Sequence, residues 1–398
     1  MSYDRPAPPM VYGARKAVVK GLLWGRIAWL SLRLHRRPWR AARAVRRLVA
    51  ERARHRRQVT AKYARAGGRF FWDLYAPGWP SLAFDRFVER ELARAMSSPG
   101  PPALQTLIFA ITKSCPLRCQ HCCEWDSLNH RETLSRADLM RIVSRFQERG
   151  VAQILLSGGE PLQRTEDIID LVTSAGGESD FWILTSGHGL SEERAVRLGA
   201  AGLTGVVLSL DHWDAAEHDR FRGFPGAHAQ VERAARHARA AGLLLGLSLC
   251  PTRAFVSEEN LQRYAELARG LGAGFIQILE PKAVGHYAGK DVELGPAQLE
   301  LLEAFYLRLN FDRACRNMPA VQYVALRQRR TGCSGAGDRY LYVDTDGALL
   351  ACPFCRAPRG NALEGRLDDA LQALGALGCP EEADAGVRPG AEEVSHGG

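Results

Sequence analysis

The 398-residue chain has no run of about 18 or more consecutive apolar residues, so no membrane span is predicted. The apolar patch near its start is broken by Arg26 and Arg33, and no small-residue cleavage site follows, so no secretory signal is predicted. Cysteine is too scarce for a disulfide scaffold: there are ten, and seven fall in two short regions. That distribution fits metal-bound thiolates in a reducing cytoplasm. Acidic residues are nearly missing from positions 1 to 67, where 18 Lys and Arg face only Asp4 and Glu51, a local charge of +16. The remaining 35 basic and 42 acidic residues leave −7, so the net +9 belongs to a leader and not to the body.

Residues 1–66 start with a Pro-rich tip and then read as basic amphipathic helix, with Trp24, Ile27, Trp29, Leu30, Leu32 and Leu34 among the arginines. Such a helix can lie in an anionic membrane interface with its tryptophans at headgroup depth. Packing on the protein's own body is the second reading, and nonspecific nucleic-acid binding the third. No recognisable nucleic-acid fold accompanies the charge. Residues 67–103 form an aromatic-rich connector, expected to pack across an opening of the next domain. Phe70, Phe71, Trp72 and Tyr75 there read as packing, with substrate lining as the alternative.

From 104 to 290 short β-rich runs alternate with helical patterns. Strands are expected at 107–112, 153–157, 181–186, 205–210, 244–249 and 275–279. Near-continuous apolar strands between helices mean a parallel sheet covered on its outer face. Six such units predict an α/β fold, an incomplete (β/α)6 barrel or an open doubly wound sheet, with active groups at the carboxyl edge of the strands. Residues 293–330 read as helical. A small cysteine-containing unit follows, with a hairpin turning at Asp346-Gly347. The acidic, Gly-rich tail 380–398 reads as disordered.

Cys115, Cys119 and Cys122 are spaced C-x3-C-x2-C directly after the first strand, with Cys123 adjacent. A structural zinc site requires four ligands. Three thiolates in one loop can hold three irons of a cubane and leave the fourth open. This stretch, with His121 just before the third cysteine, resembles the cluster motif of the radical S-adenosylmethionine (radical SAM) superfamily. LLSGGEP at 155–161 is similar to that family's Gly-Gly-Glu-Pro segment, and on that basis Gly158, Gly159 and Glu160 are expected near the methionyl group. LTSGHGLS at 184–191 resembles the Thr-Asn-Gly segment, with Ser186 in place of asparagine. SLD at 209–211, including Ser209 and Asp211, resembles the ribose-contact segment. LEPKAVGHY, from 279, is similar to the sixth-strand end. The resemblance covers about residues 104–290 and implies a TIM-like partial barrel.

A second cysteine region, Cys333, Cys352 and Cys355, resembles the auxiliary-cluster module called SPASM, or its shortened twitch form, within residues 291–379. Five cysteines after residue 300 imply one auxiliary [4Fe-4S] cluster, two clusters in all. Cys379 is the expected fourth ligand, Cys315 the alternative, and an open iron or a structural zinc the remaining options. Cys123 and Cys250 read as buried or free thiols.

The resemblance implies reductive cleavage of S-adenosylmethionine to a 5′-deoxyadenosyl radical, which takes hydrogen from a substrate carbon. His188, Asp211, His212, Gln277 and Glu280 follow strand ends and are the candidate catalytic groups. The expected partners are a flavodoxin or ferredoxin-type electron donor and a peptide substrate to be modified or crosslinked. A lipid or membrane-linked substrate is the first alternative, a soluble metabolite the second and a non-enzymatic scaffold the last. The expected location is the cytoplasm, with the leader peripheral on the inner face of the membrane.

Overall fold

The computed structural model describes residues 10–54, 62–97, 104–333, 335 and 339–377. The six expected strands all form: β3 (Thr106–Ala110), β4 (Gln153–Ser157), β5 (Asp180–Thr185), β6 (Gly205–Ser209), β7 (Leu244–Leu249) and β8 (Phe275–Ile278). Each pairs with the next in parallel. Helices α4 (Arg136–Glu148), α5 (Thr165–Ser174), α6 (Glu192–Ala201), α7 (Ala215–Arg222), α8 (Ala227–Ala240) and α9 (Glu258–Leu271) make the crossovers. Their ends follow local chemistry. Ser135 and Asp138 form a reciprocal capping box on α4, and Ser257 Oγ accepts from the Asn260 N–H to start α9. Gly272 ends α9 in the left-handed region, which needs no Cβ.

Two differences from the sequence pattern extend the sheet. Within the stretch read as helical, α10 (Pro296–Phe311) is followed by a strand, β9 (Ala320–Tyr323), before α11 (Val324–Thr331). This four-residue, fully buried strand pairs in parallel with β8, too short to show a period against helical neighbours. The late hairpin, β10 (Tyr340–Val343) and β11 (Leu349–Leu350), does not stand apart: β10 pairs in parallel with β3. The order among the described residues is β11-β10-β3-β4-β5-β6-β7-β8-β9, a nine-stranded open sheet without closure. The second cysteine region is thereby attached to the sheet beside the strand that leads into the first.

The connector closes the amino-terminal end. A hairpin of β1 (Ala64–Ala66) and β2 (Arg69–Phe71) leads Phe71 and Leu74 into a core with Leu155, Trp182, Val207, Leu244, Phe275 and Ala320. Arg69 and the Gly78 N–H bind the two oxygens of Asp180, the first residue of β5, at 2.6 and 2.9 Å. Phe71 is therefore a packing residue, edge-on to Trp182. Lys62 is buried, and its Nζ donates to the carbonyls of Leu309, Cys315 and Met318 at 2.7, 2.8 and 2.5 Å. The carboxyl edge is left for the site.

The leader is helical, as α1 (Gly13–His35) and α2 (Pro38–Arg54). One face packs on the body: Leu23, Ile27, Leu30, Ala44 and Leu48 meet Phe84, Phe87, Val88 and Leu92 of α3 (Leu82–Met96). Among the described residues no helix is long and apolar enough to cross a membrane. The tip 1–9 and the tail 380–398 lie outside the described residues.

Candidate active site

The loop that leaves β3 carries Cys115, Cys119 and Cys122 and is tied down from four sides. Arg118 N and Gln120 N donate to the carbonyls of Arg222 and Phe221 at the end of α7. His286 N donates to Cys122 O at 2.9 Å, its Nδ1 lies 2.8 Å from Cys119 O, and its ring stacks on Trp125 at 3.8 Å. Asn129 exchanges two hydrogen bonds with the backbone of Cys115. The fourth side is the glycine turn after β4. Gly159 N donates to Thr112 O and Glu160 N to Ser114 O, at 2.8 and 2.7 Å. A Cβ on Gly158, whose φ is +120°, would lie 2.6 Å from Thr112 O, and one on Gly159 would lie 2.4 Å from Ser114 O. Only glycines allow this approach.

Burial raises all three thiols, Cys115 to about 12. Cys122 also feels Cys123, Cys119 and Cys115, which places the three sulfurs in one electrostatic neighbourhood. A thiol raised by burial loses its proton when a metal takes the sulfur. Among the described residues no three His, Cys, Asp or Glu side chains converge on a single point, the arrangement a zinc ion requires. In a cubane each thiolate has its own iron, so the sulfurs need not meet. The donor set and the loop clasped by the glycine turn fit a [4Fe-4S] cluster.

Glu160 is buried and saturated. Its Oε1 accepts from Leu162 N (3.1 Å) and Thr185 Oγ1 (2.5 Å), its Oε2 from Ser186 N (2.9 Å) and Ser186 Oγ (2.5 Å). Burial raises its carboxyl, and the hydroxyls of Ser186 and Thr185 oppose that. The serine that stands in place of asparagine is thus joined directly to the glutamate.

Comparison with known proteins places these features in a family. The model for the radical SAM superfamily matches residues 109–268. A PqqA peptide cyclase from Gluconobacter oxydans is 32% identical over 266 residues, 65% of this chain and 72% of that one. A second PqqA peptide cyclase, from Streptomyces rochei, is 32% identical over 69% of this chain and 77% of its own. The chain belongs to the radical SAM superfamily. An AdoMet-dependent heme synthase from Oleidesulfovibrio alaskensis is 25% identical over 68% of this chain and 75% of that one. Among solved structures, Streptococcus suis SuiB bound to the precursor peptide SuiA superposes with a TM-score of 0.58 at 16% identity, covering 74% of this chain and 71% of that chain. This likeness supports the partial TIM-like barrel. The protein is a radical SAM enzyme, and the family implies a [4Fe-4S] cluster and S-adenosylmethionine.

Ser209 ends β6 in register with Ser248 of β7. Asp211 is buried beside Arg222, whose Nη2 lies 2.5 Å from Asp211 Oδ2, and the Cys250 N–H donates to its Oδ1 at 2.9 Å. Burial alone raises the Asp211 carboxyl. The Arg222 guanidinium, then His121, His218 and the Cys250 N–H, overcome this and hold it below the usual range. Arg222 also donates to Cys119 Sγ at 3.5 Å. Burial lowers His121 to about 4, so its imidazole is neutral; it stacks on Phe221. His188 Nδ1 is 3.0 Å from Gln230 Oε1, and His212 Nδ1 accepts from Asp214 N at 2.9 Å. Gln277 donates to the Tyr75 hydroxyl. Glu280 accepts from Tyr323 OH at 2.5 Å and Arg329 at 2.7 Å.

Cys333 accepts from Gln328 and the Gly335 N–H at 3.5 and 3.3 Å, and both Cys333 and Cys352 help raise the partly buried Tyr340 hydroxyl, after desolvation itself. Cys355 N donates to Cys352 O. Cys315 lies in the turn before β9, its carbonyl held by Lys62, and Cys379 lies outside the described residues. Sequence reasoning missed the link between the two cysteine regions. Glu124, beside Cys123, is buried and accepts from Tyr342 OH at 2.7 Å and from Arg356, beside Cys355, at 2.5 Å. Burial and then Glu124 push the Cys123 thiol up to about 12, with Arg356 and Cys352 also in electrostatic range. A doubled cysteine followed by glutamate was the available signal.

Proposed function

We propose that this enzyme abstracts hydrogen from a peptide substrate to modify or crosslink it. The observation that carries this reading is the 32% identity to two PqqA peptide cyclases over about three quarters of their length. These relatives favour a peptide over a lipid-linked or soluble small substrate. When bound, S-adenosylmethionine and the cluster supply a 5′-deoxyadenosyl radical. The chain's own residues do the rest. Cys115, Cys119 and Cys122 would hold the cluster, and Gly158 and Gly159 let the backbone approach. Glu160, fixed by Thr185 and Ser186, shapes the turn that would face the methionyl group. Past β8 and β9, the Glu280–Tyr323–Arg329 group offers both charge signs to a peptide, and Gln277–Tyr75 lines the interior below. The hairpin, Phe71 and Leu74 close the opposite end against water.

Cys333, Cys352 and Cys355 would hold an auxiliary [4Fe-4S] cluster; the shared neighbourhood of Cys333 and Cys352 around Tyr340, the Cys355–Cys352 backbone contact and the Glu124–Arg356 contact support it. Two clusters correspond to about eight irons per chain. The test is anaerobic reconstitution followed by incubation with S-adenosylmethionine, a one-electron reductant and peptides whose carbon-bound hydrogens carry deuterium. Deuterium should appear in 5′-deoxyadenosine, and the peptide should lose mass. Deuterium transfer from labelled lipid and none from peptide would overturn the substrate class. Four irons in the native chain, unchanged when Cys333, Cys352 and Cys355 are replaced by alanine, would remove the auxiliary cluster.

A further inference from the structure

The α1–α2 hairpin has two faces, and only one is used by the fold. Val19, Leu23, Ile27 and Leu30 are buried against the body. Val18, Leu22, Trp29 and Leu32 form a second stripe on α1, at helical spacing and pointing away from it. Val18 and Leu22 are 64% and 60% exposed, and Trp39 at the start of α2 is 65% exposed. Of the ten large apolar side chains exposed among the described residues, seven lie between Val18 and Val49. A soluble surface rarely gathers its apolar exposure this way without a partner.

The charge around the stripe says what the partner is. Residues 10–50 contain no Asp or Glu. Arg26 and Arg33 are anchored to Asp85 and Glu89 of α3 and flank the Trp29 ring at 4.2 and 5.0 Å, which holds that tryptophan outward. Arg15, Lys20, Arg36, Arg40, Arg43 and Arg46 are exposed around the stripe. Two copies of this face would repel one another. A nucleic acid would satisfy the arginines but leave the aliphatic side chains in water. An anionic phospholipid surface satisfies both, taking Trp29 and Trp39 at headgroup depth and the arginines against phosphate.

We infer that the outer face of the α1–α2 hairpin is a docking surface for an anionic phospholipid bilayer, so that the enzyme works on the membrane without crossing it. This rests on the exposed stripe and its charge and is independent of the peptide reading. The test is co-sedimentation of the full-length, reconstituted enzyme with phosphatidylcholine vesicles and with equimolar phosphatidylcholine–phosphatidylglycerol vesicles. Binding should require phosphatidylglycerol. It should fall at least about tenfold in Leu22→Ser/Trp29→Ser/Trp39→Ser, and by about fivefold for each arginine removed in Arg36→Gln/Arg40→Gln/Arg43→Gln. These side chains are exposed, so melting temperature and iron content should match the parent enzyme. No binding to anionic vesicles, or binding that the stripe variant retains, overturns the inference. So does a concentration-dependent dimer that the stripe variant abolishes, or tighter binding to DNA than to vesicles.

Discussion

Arg222 donates a hydrogen bond to Cys119 Sγ at 3.5 Å while its other terminal nitrogen lies 2.5 Å from the Asp211 carboxylate. Both charged side chains are almost wholly buried. The positive end of this pair therefore points at a sulfur of the radical SAM cysteine loop, and the negative end points away. A donor and a positive charge at a ligating sulfur stabilise the more negative, reduced cluster. Arg222→Gln should move the cluster's midpoint potential to more negative values, and Asp211→Asn should move it the other way. The double variant, which leaves no unpaired buried charge, should fall between them. EPR-monitored titration checks the order. If Asp211 contacts ribose instead, Asp211→Asn will weaken S-adenosylmethionine binding and leave the potential unmoved.

Ser186 holds Glu160 through two hydrogen bonds, one from its hydroxyl and one from its backbone. Ser186→Ala removes the first and leaves a buried carboxylate oxygen one donor short, a cost of about 1–3 kcal/mol. The expected result is roughly tenfold weaker S-adenosylmethionine binding by calorimetry. Ser186→Asn should recover most of it, since an amide N–H can replace the hydroxyl.

Glu124 is 3% exposed and Arg356 35% exposed. Arg356→Met strands the glutamate in the interior, and with one partner partly solvated the loss should be about 2 kcal/mol. Adding Glu124→Gln should restore much of this in thermal unfolding. Both variants should keep the first cluster. A lower auxiliary iron content in the single variant would show that this contact positions the second cysteine region.

Lys62 joins the segment before β1 to three carbonyls around the turn into β9. Lys62→Met leaves all three unsatisfied, and unfolding free energy should drop by about 3 kcal/mol. Chemical denaturation measures it, and a drop below about 1 kcal/mol would mean that water replaces the ammonium.

The sequence alone determined the parallel sheet and the superfamily motifs along it. Both are written locally: apolar strands bounded by glycine and serine caps, three cysteines after the first strand and Gly158-Gly159-Glu160 after the second. Only the tertiary structure decided what depends on contacts between distant segments. β9 is too short to announce itself, and the hairpin strand β10 gives no sign of its partner; both join the sheet because β8 and β3 offer unpaired edges. Asp211 meets Arg222 eleven positions on because α7 turns back over the cysteine loop, and Glu124 meets Arg356 across 232 residues. The leader's tryptophans and leucines divided into a packed and an exposed set only when α3 took one face of α1. An amphipathic period states that a face is apolar; which neighbour covers it is a property of the assembled fold.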